Sequence, residues 1–234
     1  NFIETFGVHE NNIEAILNAS IDLRNQFRVA KMQATIVPHA PYSTPPKMMR
    51  KIAELLDEKD ELLTIHMQET LAENELFESK TGDFFNWLSS IAASSEIWEK
   101  RNNSHDVLKE LNKHKILLVH NTFSKRKDIS YNHYCTCPKA NLYIENTLPN
   151  YSIFDPDKLC VGTDSLASNN SLSILEELQI ISESSDFDLN ILLKIASKNG
   201  AEALGFEKLG TFGKGKIPGV ILIQHLDEMK ISKK

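Results

Sequence analysis

Leu62-Leu63-Thr64-Ile65-His66 and Ile116-Leu117-Leu118-Val119-His120 read alike: each is a short, mostly apolar run that ends on an imidazole. Runs of this length, rich in β-formers and bounded by polar chain, are expected to be buried strands. Upstream, Phe2 to Phe6 and Gln33 to Pro38 are two more strand candidates. Between them Asn11 to Lys31 carries Ile13, Ile16, Leu17, Ile21 and Leu23 and reads as a helix. The second strand ends at His39-Ala40-Pro41-Tyr42. Ser43 or Thr44 is then expected to cap a helix with Pro45 and Pro46 in its first turn.

Between the two quoted strands lie a helical region from about Ala72, a Thr81-Gly82 break, an aromatic group at Phe84, Phe85 and Trp87, and a short helix from His105 to Asn112. Downstream, Tyr131 to Cys137 is the fifth strand and Leu159-Cys160-Val161 the sixth, which ends at Gly162-Thr163-Asp164. Ser171 to Ser182 and Leu189 to Leu204 are amphipathic helices, the second closed by Gly205. From Gly210 the chain is glycine-punctuated, then strongly β in Gly219-Val220-Ile221-Leu222-Ile223. Six strands, each followed by helical material, predict an α/β fold, best described as an incomplete (β/α)8 barrel. The competing doubly wound sheet carries a glycine-rich phosphate turn after a strand, and neither G-x-G-x-x-G nor G-K-[ST] occurs here.

The bulk numbers agree with one globular enzyme-sized unit. In 234 residues, 41% are apolar and 25% charged, which excludes a disordered or fibrous chain. The net charge is −6, with Lys and Arg scattered, so no nucleic-acid footprint and no basic membrane-surface helix is expected. No apolar run approaches the roughly 18 to 20 residues of a membrane span. The three cysteines, Cys135, Cys137 and Cys160, read as reduced thiols of a cytoplasmic protein. The chain opens on Asn1 directly into an apolar stretch, which reads as an interior position of a longer protein.

The informative pattern is positional. His39, His66, His120 and Asp164 each stand just past the C-terminal end of an expected strand. In a (β/α) barrel those ends converge on one face, so residues distant in sequence would share a pocket. Imidazoles with a carboxylate suit a divalent metal ion, zinc first, with iron admitted. Glu69 follows His66 by three residues, where it reads as a surface glutamate or as a carboxylate that moves protons beside a metal-activated water. A lone histidine after a strand is commonly structural; three of them with an aspartate favour a site. The Cys135-Thr136-Cys137 run lacks the paired spacing of structural zinc sites and reads as buried thiols. His9, His105, His114 and His225 read as solvated, and the Phe84, Phe85, Trp87 group as core or pocket wall.

His39-Ala40-Pro41-Tyr42, His66-Met67-Gln68-Glu69, Leu118-Val119-His120, Gly162-Thr163-Asp164-Ser165 and Ala167-Ser168-Asn169-Asn170 occur in the order found in the amidohydrolase superfamily, which the chain therefore resembles over nearly its whole length. The nearest branch is similar to the chlorohydrolases, guanine deaminases and S-adenosylhomocysteine or methylthioadenosine deaminases. Asn199-Gly200-Ala201, Ala203-Leu204-Gly205 and Gly213-Lys214-Gly215-Lys216 match that branch's closing segment.

The resemblance implies roles. His66 is a metal ligand from the fifth barrel strand and Glu69 a proton shuttle that also contacts substrate. His120, from the sixth strand, contacts water and substrate and reaches toward the metal. Asp164, from the eighth, binds the metal and takes the proton from water, and His39 lines the substrate pocket. It also implies that residues 1–209 are about strands 3 to 8 of the barrel, and that 210–234 contribute a strand to a small accessory β-sandwich. The family's first-strand His-x-His ligands occur nowhere in the sequence, so the isolated chain is expected to be inactive. Ser165 stands where a glycine is usual, and Pro218-Gly219 where alanine and aspartate are usual.

The expected activity is hydrolysis of a C–N bond, foremost deamination of a purine-like heterocycle. Amide, ureide or chlorotriazine hydrolysis on the same scaffold, and a non-catalytic barrel without its metal, stay open. The expected partner is a small-molecule substrate, with no membrane and no nucleic acid, and a homo-oligomer is allowed.

Overall fold

The computed structural model describes residues 1–56, 61–92, 95–111, 114–129 and 133–223. It divides into two compact units, 1–118 and 119–234.

In the first unit β1 (Phe2–Thr5) pairs in parallel with β2 (Thr35–Pro38), Phe2 opposite Thr35 and Thr5 opposite Pro38. The crossover between them is α1 (Ile13–Val29), whose buried positions Ile13, Leu17, Ser20 and Arg24 recur every three or four residues on one face. Arg24 is buried because its guanidinium donates from Nη1 to the Leu55 carbonyl at 2.9 Å, at the C-terminal end of α2 (Pro46–Glu54). β3 (Leu62–Met67) follows, and β4 (Lys115–His120) is its sheet neighbour. Between these strands run α3 (Leu71–Ser79), α4 (Gly82–Ile91) and a 3₁₀ helix, Ser104–Leu111. Ile36, Val37, Met48, Met49, Ile52, Leu63, Ile65, Met67, Leu76 and Trp98 form the core, each large side chain contributing about 1.5–3 kcal/mol.

In the second unit β5 (His133–Thr136) pairs in parallel with β6 (Leu159–Val161), Cys135 opposite Cys160. α5 (Pro138–Glu145) joins them, and α6 (Ile174–Ser184) packs Leu178 and Ile181 inward. α7 (Leu189–Leu193) continues through one π turn, Lys194–Lys198, into α8 (Asn199–Ala203), which Gly205 closes with φ +73°.

Three local expectations change. Neither Ser43 nor Thr44 caps α2, because both hydroxyls have other partners. Thr44 Oγ1 donates to the Thr5 carbonyl at 3.1 Å, Ser43 Oγ pairs with His39 Nδ1 at 2.6 Å, and Pro45 takes the N-cap place without a side-chain bond. α5 falls where helical material was expected only in general, with no bounds of its own. Residues 219–223, expected as a strand, carry no strand, and Val220, Ile221 and Leu222 are exposed. A strand needs a neighbour to complete its ladder, and none of the described residues supplies one there. Of the remaining expectations, Tyr131 and Asn132, Asn112, and everything beyond residue 223, including His225, lie outside the described residues.

Candidate active site

In the first unit the ends of β2 and β3 meet through His39 and His66. The His66 backbone N–H donates to the His39 carbonyl at 2.9 Å, and the His66 ring Nδ1–H donates to the same oxygen at 2.8 Å. A carbonyl only accepts, so Nδ1 carries a proton, and in the neutral ring the lone pair is then on Nε2. The two imidazoles lie 4.8 Å apart between centroids, and Glu4 Oε1 stands 3.8 Å from His66 Nδ1. Glu69 accepts a hydrogen bond from the Tyr42 phenol at 3.1 Å. The Tyr42 ring packs edge-on against Phe84 at 4.9 Å, and Phe84 stacks on the exposed Trp87 at 6.0 Å. Phe84 and Trp87 thus continue a row of aromatic rings from Tyr42 toward the surface.

In the second unit β4 ends on His120, buried and held by an Nδ1 contact of 2.8 Å to the side-chain oxygen of Asn141 on α5. This again places the proton on Nδ1. Asp164 follows β6, half-buried, and its Oδ2 accepts from the Ser168 hydroxyl. The loop is tied down by Asn169, whose amide donates to the Thr163 carbonyl and to Glu177, each at 2.7 Å. Glu177 on α6 also accepts from the Lys139 backbone N–H at 2.8 Å; its burial raises its pKa. An open cavity of about 530 Å³ lies against this loop, lined by Lys139, Tyr143, Leu166, Ser168 and Asn169 among others.

The backbone marks the same places. Among the described residues, the non-glycine positions with positive φ are Lys31, Lys80 and Asn146, which end helices, and Gln68, His120, Asn121 and Asp164, which stand at or just past strand ends beside or within the candidate set. Left-handed conformations of this kind cost about 1–2 kcal/mol for an L residue and persist where surrounding bonds enforce them.

Other sequence readings are settled by position. Cys135, Cys137 and Cys160 are reduced, and Cys137 and Cys160 are buried. Contact with Cys137, then burial, pushes the Cys135 thiol up; contact with Cys135, then burial, does the same to Cys160. Of the histidines read as solvated, His9 is exposed, but His105 and His114 are half-buried with Nδ1 shut away from solvent. Short polar context did not reveal that their helix and turn pack inward. Among the described residues no three His, Cys, Asp or Glu side chains close into a cluster able to hold a metal ion. No helix among them is long and apolar enough to cross a membrane. Sequence reasoning gave no role to Tyr42, Gln68, Asn141 or Ser168. Tyr42, Gln68 and Ser168 lay inside quoted motifs, whereas Asn141 lay in the helix that was given no bounds.

The profile described as "Amidohydrolase family" matches residues 4–233. The chain belongs to the amidohydrolase family. It is 26% identical over 230 residues to a 5-methylthioadenosine/S-adenosylhomocysteine deaminase of Bacillus cytotoxicus, a match over 94% of this chain and 50% of that protein. Among solved structures, Helicobacter pylori aminofutalosine deaminase is similar with a TM-score of 0.76 and 27% identity, over 92% of this chain and 57% of that one. An adenosine deaminase from Xanthomonas campestris, solved with bound zinc, has a TM-score of 0.67 at 21% identity, over 87% of this chain and 46% of that one; it speaks to the fold alone. The chain spans about half the length of the curated relatives it matches. These likenesses give it the parallel α/β fold of an incomplete barrel, as the alternation of strands and helices predicted.

Proposed function

We propose that this chain carries part of the reaction centre of a metal-dependent aminohydrolase, which replaces the amino group of a purine-like heterocycle with oxygen. The observation that carries the reading is the treatment of His66 and His120. Each stands at a strand end with Nδ1 bonded to a carbonyl oxygen, the pattern by which proteins ready imidazole Nε2 for a cation. With Asp164 they are the donor types that suit a divalent ion, zinc first, although among the described residues no three such side chains close on one point. Such an ion, when bound, makes water acidic enough to ionise near neutral pH.

The residues then divide the work. Asp164 takes the proton from water, its other oxygen steadied by Ser168. Glu69 gives its proton to the ring nitrogen beside the reacting carbon, is recharged by the proton that leaves the new C–OH group and passes that one to the departing amine. The proton held by Asp164 restores Glu69 for the next turnover. His39, beside His66, contacts the substrate. A C–O bond forms, the C–N bond breaks, and ammonia leaves. The deaminases it resembles support an adenine nucleoside as substrate class. We also infer that residues 1–209 carry the barrel chemistry and that residues 210–234 are accessory to it.

The test is ammonia release by the whole natural protein, loaded with zinc, from adenosine, 5-methylthioadenosine, S-adenosylhomocysteine and guanine, with a chlorotriazine and a cyclic ureide as rivals. Ammonia from an adenine nucleoside, lost in Glu69→Gln, is expected. Chloride from the triazine or ring opening of the ureide, without ammonia from any purine, would replace this reading. So would a zinc-saturated protein that turns over nothing.

A further inference from the structure

Glu69 is gripped from two sides. On the carboxylate, the Tyr42 phenol donates to Oε2 at 3.1 Å. Tyr42 is itself anchored: the indole N–H of Trp98, a buried residue, donates to the Tyr42 carbonyl at 2.9 Å, and Phe84 packs on the ring. Burial, followed by the negative charges of Glu69 and Glu73, pushes the phenol well above its ordinary value. It therefore stays a donor throughout the pH range of the reaction.

On the backbone, Gln68 immediately precedes Glu69 and takes φ +53°, a bend that redirects the chain as it leaves β3. Glycine would make this bend without strain, whereas glutamine requires enforcement. The enforcement is visible. Gln68 is 1% exposed, and its Nε2 donates to Asn74 Oδ1 at 2.7 Å and to Ser104 Oγ at 2.5 Å. Its Oε1 accepts from Asn74 Nδ2 at 2.9 Å, and its backbone N–H donates to Glu73 Oε1 at 3.0 Å. A side chain this thoroughly satisfied locks the residue that links ligand candidate His66 to Glu69.

We infer that Tyr42 and Gln68 are positioning residues that aim the Glu69 carboxylate, Tyr42 through its hydroxyl and Gln68 through an enforced left-handed bend. The inference rests on the reading of Glu69 as proton carrier.

Tyr42→Phe deletes one oxygen and keeps the ring packing. In the zinc-loaded natural protein it is expected to lower kcat about tenfold. KM and zinc content stay within about twofold, and the solvent deuterium isotope effect grows as proton transfer becomes slower. Gln68→Gly, which accepts the bend but loses the lock, lowers kcat about a hundredfold, and Gln68→Asn restores part of it. A kcat within about twofold of the parent in either Tyr42→Phe or Gln68→Gly would overturn the inference, as would a raised KM at unchanged kcat. Glu69→Gln separates the layers. If it retains turnover, the reading of Glu69 falls; if it abolishes turnover while Tyr42→Phe is silent, this inference alone falls.

Discussion

His66 and His120 make the same 2.8 Å contact through Nδ1, but to different kinds of oxygen. His66 leans on the backbone carbonyl of His39, which no side-chain substitution can remove. His120 leans on the amide of Asn141, a side chain that belongs to a separate helix. The carboxylates differ in a parallel way: Glu69 is held by a phenol packed among aromatic rings, and Asp164 by the small hydroxyl of Ser168 in its own loop. The first unit builds its orientation into chain geometry and core packing. The second builds it from replaceable polar groups.

The harshest break is at Asp164 itself. Asp164→Asn removes the proposed base, and turnover by the whole protein is expected to fall about 10³- to 10⁴-fold. Bound zinc, counted by mass spectrometry, falls with it; a variant that keeps full metal and full activity would deny Asp164 its role. Asn141→Ala comes next, with a loss of about 10- to 100-fold in zinc affinity, read by chelator competition. His39→Ala leaves the backbone acceptor of His66 in place, so zinc affinity should stay within about twofold while KM rises. Equal effects on zinc affinity from both substitutions would erase the distinction between the two units.

Glu73 sharpens the comparison through pH. Burial, the largest influence, pushes its carboxyl up from 4.5 to about 7. Because the folded value lies above the unfolded one, the stability its protonated form contributes is complete below about pH 4.5 and is lost as pH rises through 7. The loss amounts to ~3 kcal/mol. Glu73→Gln keeps an oxygen to accept from Gln68 and cannot ionise, so its denaturation curves should gain on the parent's as pH rises from 5 to 8. Parallel curves would show that Glu73 does not titrate in that range. The smallest effect is expected at Gly162, where an added Cβ would lie 3.2 Å from Cys135 Sγ and 3.5 Å from Cys137 Sγ. Gly162→Ala should cost about 1 kcal/mol, and Cys135→Ala should recover most of it.

Strands were legible where burial wrote them in apolar residues: β3 and β4 lie within a residue or two of the expected bounds, each running on to take in its site candidate, His66 or His120, near its C-terminal end. The bounds of helix α5 were not legible, although Pro138 at its first turn was the available signal. Its alternation of Lys139, Ala140, Asn141 and Leu142 has no clear apolar stripe, because Asn141 faces inward to serve His120. The cap of α2 was misread because a hydroxyl's choice of partner is tertiary: Thr44 bonds Thr5, far away in sequence. Gln68 could not be foreseen for a related reason. Nothing in its residue type announces a left-handed bend, which the surrounding Asn74, Ser104 and Glu73 impose.

The left-handed backbone at Asp164 carries a consequence for variation. An aspartate with φ +57°, half-buried at a loop, would be relieved by glycine, to the gain of about 1 kcal/mol. A laboratory lineage rewarded for heat tolerance alone would therefore drift toward glycine at 164 and grow sturdier as it grew inert. Positions where robustness and competence part company in this way can be found by sorting variants for survival, with no substrate in hand.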